Sequence, residues 1–257
     1  MAHTHVIPIS VLGKRNVNAH LLLGRRPVLV DTGVPGSGTK ILRRIAEHGV
    51  DPGDLAAIVV THAHIDHFGS AAELHAATGA PIVAHVADAG QYAAGRIREP
   101  YLPTGRFGRV LDRLPAFHVE AEPFVPQLLV DGPTGLHDFG VEARIVPSPG
   151  HTAGSISVLT DTGDLVAGDL VAGSFLGVLA RRPANPPFHD DPVGNLASLQ
   201  AMLALNPTAL HVGHGGPLNP DRVRRWAVAE QRRLERLAKR GRMRSRADES
   251  AVSSAGS

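Results

Sequence analysis

A chain of 257 residues, 43% hydrophobic, can bury one large core, and no stretch of it approaches the roughly 18 consecutive apolar residues of a membrane helix. It has no cysteine, which excludes disulfide frameworks, thiolate metal clusters and cysteine nucleophiles, so any metal must rest on carboxylates and the 15 histidines. The formal net charge of +2 is uneven: residues 222–246 hold 11 Lys/Arg against 2 Glu, a charge of +9, which leaves −7 for the remainder.

The first residues lack the charged and apolar regions of a secretory signal, so a soluble cytoplasmic protein with no membrane partner is expected. Residues 6–11, 19–24 and 28–33 are short, apolar and separated by Gly, Asn and Arg, which predicts three strands. Asp31 closes the third. A buried carboxylate needs partners, so Asp31 is expected to accept backbone or histidine N–H bonds behind a site. Ser37 or Gly38 opens a helix whose apolar positions Ile41, Leu42, Ile45 and Ala46 share one face, with Gly49 as its stop.

Residues 55–60 form an aliphatic run after the turn signal Asp51-Pro52-Gly53-Asp54 and read as a buried strand. Directly after it comes Thr61-His62-Ala63-His64-Ile65-Asp66-His67. Four metal-competent side chains thus stand at the C-terminal end of a strand, where an α/β sheet opens its binding crevice. In extended backbone His62 and His64 point the same way, while Asp66 and His67 lie past them as the chain turns into a helix. Imidazole and carboxylate together suit zinc, iron or manganese.

Residues 70–78 then read as a helix ended by Gly79, and residues 81–84 as a strand, so strand and helix alternate in a layered α/β core. Between about residues 86 and 132 the pattern breaks. Tyr92, Tyr101 and Phe107 occur there among arginines and prolines, in a stretch too long for an ordinary connection. It is read as a partly helical insertion, either a lid that supplies substrate contacts or a peripheral decoration that could pair two copies in a homodimer. Residues 141–146 alternate as a strand and lead into Pro147-Ser148-Pro149-Gly150-His151-Thr152-Ala153-Gly154-Ser155, whose prolines and glycines hold His151 at a rigid turn. A hairpin over residues 155–169 puts Asp169 at another strand end.

His189, beside Asp190 and Asp191, is a candidate substrate-side contact, and Asp191-Pro192 caps a helix. Residues 209–216 form a last strand and a glycine-rich turn carrying His214. Asn219-Pro220 starts a basic helix over residues 219–240, and residues 241–257, rich in Arg, Ser, Ala and Gly, are expected to be disordered. Trp226 falls on the apolar stripe of that helix, so its charged side is read as a solvated face rather than a nucleic-acid surface. Residues 1–240 are taken as one catalytic domain. The remaining histidines, including His3 and His5 at the terminus, are read as surface or hydrogen-bonded core residues.

The strand-end set is His62, His64, Asp66, His67, His151, Asp169 and His214. In order and flanking glycines it resembles the metallo-β-lactamase fold superfamily: His-x-His-x-Asp-His, then a distant Gly-His, a Gly-Asp and a late Gly-His-Gly. The match runs from about residue 6 to residue 216. The resemblance implies an α/β protein built as a four-layer αββα sandwich, with metals at one edge between two sheets. It implies that His62, His64 and His151 hold one ion, that Asp66, His67 and His214 hold another, and that Asp169 bridges them.

Two divalent ions, zinc foremost, would hold a hydroxide between them and cleave an ester, thioester or lactone bond of a small-molecule substrate, with Asp66 as proton carrier. An aspartate at position 169 places the chain nearer the glyoxalase II and lactonase branches than the β-lactamases. Two departures bear on the substrate. Ala172 stands where acyl-homoserine lactonases carry a tyrosine, and Gly215 and Gly216 follow His214 where glyoxalase II has one; Tyr92 or Tyr101 is the candidate replacement. The alternatives are a persulfide dioxygenase with a single iron and a β-lactamase.

Overall fold

In a computed structural model, which describes the chain outside residues 1–2, 14, 98–102, 105, 112, 114–118, 174–180 and 255–257, the short aliphatic runs form two sheets. Strands β1 (His5–Leu12), β2 (Val17–Leu23), β3 (Val28–Val30), β4 (Ala57–Val59), β5 (Ile82–His85) and β6 (Leu128–Val130) lie side by side in that order. The pairs among β1, β2 and β3 are antiparallel, and those from β3 to β6 are parallel. The second sheet holds β7 (Thr134–Gly135), β8 (Ala143–Pro147), β9 (Ile156–Thr160), β10 (Asp164–Val166) and β11 (Ala209–His211) in the order β11-β10-β9-β8-β7. Only β10 and β11 pair in parallel there.

The two-residue period of each strand sorts its side chains into separate cores. Leu22, Val28, Val30, Ala57, Val59 and Val83 face Ile145, Ile156, Val158 and Val166 between the sheets. On the outer face of the first sheet, Leu21, Leu29, Ile58 and Ile82 pack with residues of helices α1 (Gly38–Glu47), α2 (Ile65–Phe68), α3 (Ala71–Thr78) and α4 (Ala89–Ala94). On the outer face of the second, Leu159, Leu165 and Leu210 meet α6 (Pro192–Ala204) and α7 (Pro220–Ser254). Helix, sheet, sheet and helix make four layers. At about 1.5–3 kcal/mol per fully buried aliphatic side chain, these cores hold the layers together.

Local signals behave as their chemistry requires. The Asp191 side chain accepts from Val193 and Gly194 N–H at the start of α6, and Asn219 Oδ1 accepts from Arg222 N–H at the start of α7. Gly79 ends α3 in the left-handed region.

Two expectations change. Residues 86–132 are not one peripheral insertion, because α4 packs into the core at one end and β6 completes the first sheet at the other. A short helix α5 (Arg106–Leu111) lies between them. The last helix continues through Gly241 to Ser254, because Arg, Ala, Met and Glu favour helix and no proline intervenes. No helix among the described residues is long and apolar enough to cross a membrane.

Candidate metal centre

Six loops at strand C-termini converge on one crevice. Asp31 follows β3; His62, His64, Asp66 and His67 follow β4; Asp88 follows β5; His151 follows β8; Asp169 follows β10; His214 follows β11. Extended backbone at His64 gives way to the single turn of α2, which turns Asp66 and His67 toward the second sheet. Thr32 N–H then donates to His67 C=O at 2.7 Å, anchoring that turn to the end of β3. Gly213 lets the sheets close: any Cβ there would collide with Asp169 Oδ1 and the His67 ring.

The seven strand-end residues form three overlapping groups whose ligand atoms lie within 4.8 Å of one another: His62/His64/His151, His62/His67/Asp169 and Asp66/His67/His214. His62 Nε2 and His151 Nε2 are 3.1 Å apart. Asp169 Oδ2 sits 3.1 Å from His214 Nε2 and 3.7 Å from His151 Nε2, and its Oδ1 is 3.6 Å from His67 Nε2. Asp66 Oδ2 is 3.3 Å from His214 Nε2.

The backs of the rings dictate their tautomers. Asp31 takes the Thr61 hydroxyl proton on Oδ2 at 3.0 Å, so the Thr61 oxygen is left to accept from His62 Nδ1–H, also at 3.0 Å. His67 Nδ1–H donates to Asp31 Oδ2 at 2.8 Å, and His214 Nδ1–H to the Asn16 carbonyl. Each Nε2 therefore faces the cluster. Asn18 Nδ2 donates to Val212 C=O and Gly215 C=O, which locks the β1–β2 end against the His214 turn. Such outer partners orient imidazoles for a metal.

Electrostatics divides the centre. Burial, with neighbouring histidine charges, lowers His62 and His151 well below the usual imidazole range. Burial also lowers His64, against the opposing pull of Asp66 and Asp169. In the other half burial is overridden: Asp31, Asp169 and Asp66 raise His67 to about 9, and Asp169 raises His214 as well. Burial pushes Asp66 upward, but the His67 charge and the His214 hydrogen bond hold it far below the usual carboxylate range. Without a cation, protons on His67 and His214 balance these carboxylates.

The donor set fits a metal. Tetrahedral zinc at about 2.0–2.1 Å from each nitrogen separates two imidazole nitrogens by about 3.3 Å. His62 Nε2 and His151 Nε2, 3.1 Å apart, come close to that spacing. His67 Nε2 and Asp169 Oδ1 are buried without a hydrogen-bond partner among the described residues, as atoms reserved for a cation would be.

Two expected substrate contacts, Tyr92 and His189, are both buried. Tyr92 is 0% exposed and stacks on Phe124 inside the first helical layer, where α4 needs a large apolar anchor. His189 is 2% exposed and lies behind His151, with their Nδ1 atoms 3.0 Å apart. There it backs a ring that faces the cluster. Tyr101 lies outside the described residues. Asp88, absent from the sequence reading, is buried against both histidine loops.

An αββα sandwich with His/Asp groups of ligand spacing at the strand ends defines a metallo-hydrolase. The model of the Metallo-beta-lactamase superfamily matches residues 12–214, and the chain belongs to that superfamily. It is similar to the Probable metallo-hydrolase YflN of Bacillus subtilis, 30% identical over 203 residues, with 74% of this chain and 76% of that protein covered. It is also similar to a hydroxyacylglutathione hydrolase of Anaeromyxobacter dehalogenans, 29% identical over 74% of this chain and 67% of the relative. A metallo-beta-lactamase family protein of Thermus thermophilus shares the fold with a TM-score of 0.65 at 23% identity, with 91% of this chain and 81% of that one covered.

Proposed function

We propose that the chain is a dinuclear, zinc-dependent hydrolase of ester, thioester or lactone bonds in small-molecule substrates. The observation that carries this reading is Asp169. Its Oδ2 lies 3.7 Å from His151 Nε2 of the three-histidine group and 3.1 Å from His214 Nε2 of the Asp66/His67/His214 group, which supports one carboxylate serving both. Similarity to a hydroxyacylglutathione hydrolase supports the thioester class among the three.

In this reading His62, His64 and His151 hold one ion, Asp66, His67 and His214 the second, and Asp169 both. When bound, the ions polarise a carbonyl and lower the pKa of coordinated water toward about 7. The chain's own residues do the rest. The rings of His62, His67 and His151 are fixed from behind through Nδ1, which keeps their Nε2 atoms in place with little reorganisation. Asp66 is the most open of the carboxylates, with 28% of its side chain accessible against 3% for Asp169, so Asp66 is the group that can carry a proton between the site and solvent.

The test is Asp66→Ala assayed on a panel of thioesters, lactones and esters. Turnover should fall by at least about a thousandfold, above the 10²–10⁴ range's lower end for one acid–base group, while circular dichroism stays unchanged. Retained turnover contradicts the reading.

A further inference from the structure

Asp88 belongs to none of the candidate ligand groups, yet it is 0% exposed at the end of β5. Its oxygens take three donors. Oδ2 accepts from Ala63 N–H at 2.9 Å and from the Thr152 hydroxyl at 2.7 Å, and Oδ1 accepts from Gly154 N–H at 2.8 Å. Ala63 is the residue between His62 and His64, and Thr152 follows His151. One carboxylate thus ties together the two loops that carry all three histidines of one half of the centre.

The joint has no slack. A Cβ at Gly154 would lie 2.5 Å from Asp88 Cγ, so only glycine lets that N–H reach the carboxylate. Thr152 is held in turn, its N–H donating to Ser155 Oγ at 2.9 Å. A carboxylate offers acceptor lone pairs only, so it can take three donors from two directions; an amide of the same shape turns one donor against them. The hydrogen bonds of Asp88 go to the loops of His62, His64 and His151, and none goes to Asp66, His67 or His214.

We infer that Asp88 is a positioning residue for the three-histidine half: it sets the distance between the 62–64 and 151–154 loops, and with it the 3.1 Å approach of His62 Nε2 to His151 Nε2. This rests on the dinuclear reading above. Outer partners of metal ligands are worth about 10–100-fold in affinity, and a partner that serves one half alone weakens one binding step alone.

The experiment is stepwise zinc binding to the metal-free protein, by competition with a chromophoric chelator, for the wild type, Asp88→Asn, His151→Ala and the double variant, with melting temperatures alongside. Asp88→Asn should weaken one of two steps by about 10–100-fold and leave the other within about threefold. Added to His151→Ala, which removes the three-histidine half, it should cost the remaining step nothing further. Two wild-type steps that Asp88→Asn leaves unchanged, or weakens alike, overturn the inference and spare the dinuclear reading. A single wild-type step overturns the dinuclear reading and the inference with it. Should Asp88→Asn not fold, Thr152→Val removes one of the three donors and should show the same one-sided loss at roughly 3–10-fold; an even loss or none there overturns the inference.

Discussion

Asp31 Oδ2 lies 2.8 Å from His67 Nδ1, and both side chains are fully buried. The same carboxylate accepts Thr61 N–H at 2.8 Å, so it holds the loop that starts the histidine cluster as well as a ring within it. Removing one member of a buried charged pair costs about 3–5 kcal/mol, because the other is left uncompensated. Asp31→Ala should lose about that much stability in urea denaturation of the metal-free protein. A loss below about 1 kcal/mol would contradict the pair as a structural element.

The two halves of the centre should differ in the protons they release. Burial keeps His62 and His151 neutral near pH 7, ready as ligands, while carboxylates hold His67 protonated up to about 9. A ligand must be deprotonated before it binds metal. Occupying the Asp66/His67/His214 half near pH 7.5 should therefore release about one to two protons, and its affinity should rise with pH until pH passes about 9. Calorimetry in buffers of different ionisation enthalpy counts those protons. An equal count for both binding steps would sink the division.

Gly213→Ala tests the closeness of the two sheets. The added methyl group must displace Asp169 or His67, since both sit where a Cβ would go. Metal per chain should fall toward half, with secondary structure kept. A full metal complement in this variant would show that the carboxylate and ring do not need that approach.

Tyr92→Phe separates packing from substrate binding. The Tyr92 hydroxyl is buried with no hydrogen-bond partner among the described residues, and burial pushes its pKa well up. Deleting an unsatisfied buried hydroxyl should leave stability unchanged or raise it by about 1 kcal/mol, with turnover unaltered. A selective rise in KM would restore Tyr92 as a substrate contact.

Chemistry and fold differ in how openly the chain displays them. His62, His64, Asp66 and His67 crowd into one short loop after an aliphatic strand, and His151, Asp169 and His214 stand beside glycines that rigid turns require, so local sequence marks them all. Asp88 carries no such mark: in Val86-Ala87-Asp88 it looks like an ordinary helix cap, and its partners Ala63, Thr152 and Gly154 are brought to it only by sheet pairing. Tyr92 misleads for the opposite reason. Arginine and proline neighbours suggest an exposed segment, whereas Phe68 and Phe124, distant in sequence, enclose the ring. Strand β6 is hidden likewise, because Leu128 and Leu129 are exposed at the sheet edge and lack the aliphatic density of the inner strands.

The measurement that bears most directly on the dinuclear hydrolase is the metal content of purified protein, by elemental analysis without added metal. The proposed sharing of Asp169 between two ligand sets predicts about two zinc ions per chain. About one iron per chain, with oxygen consumed in the presence of a persulfide, would contradict the account and point to oxidative chemistry on the same residues.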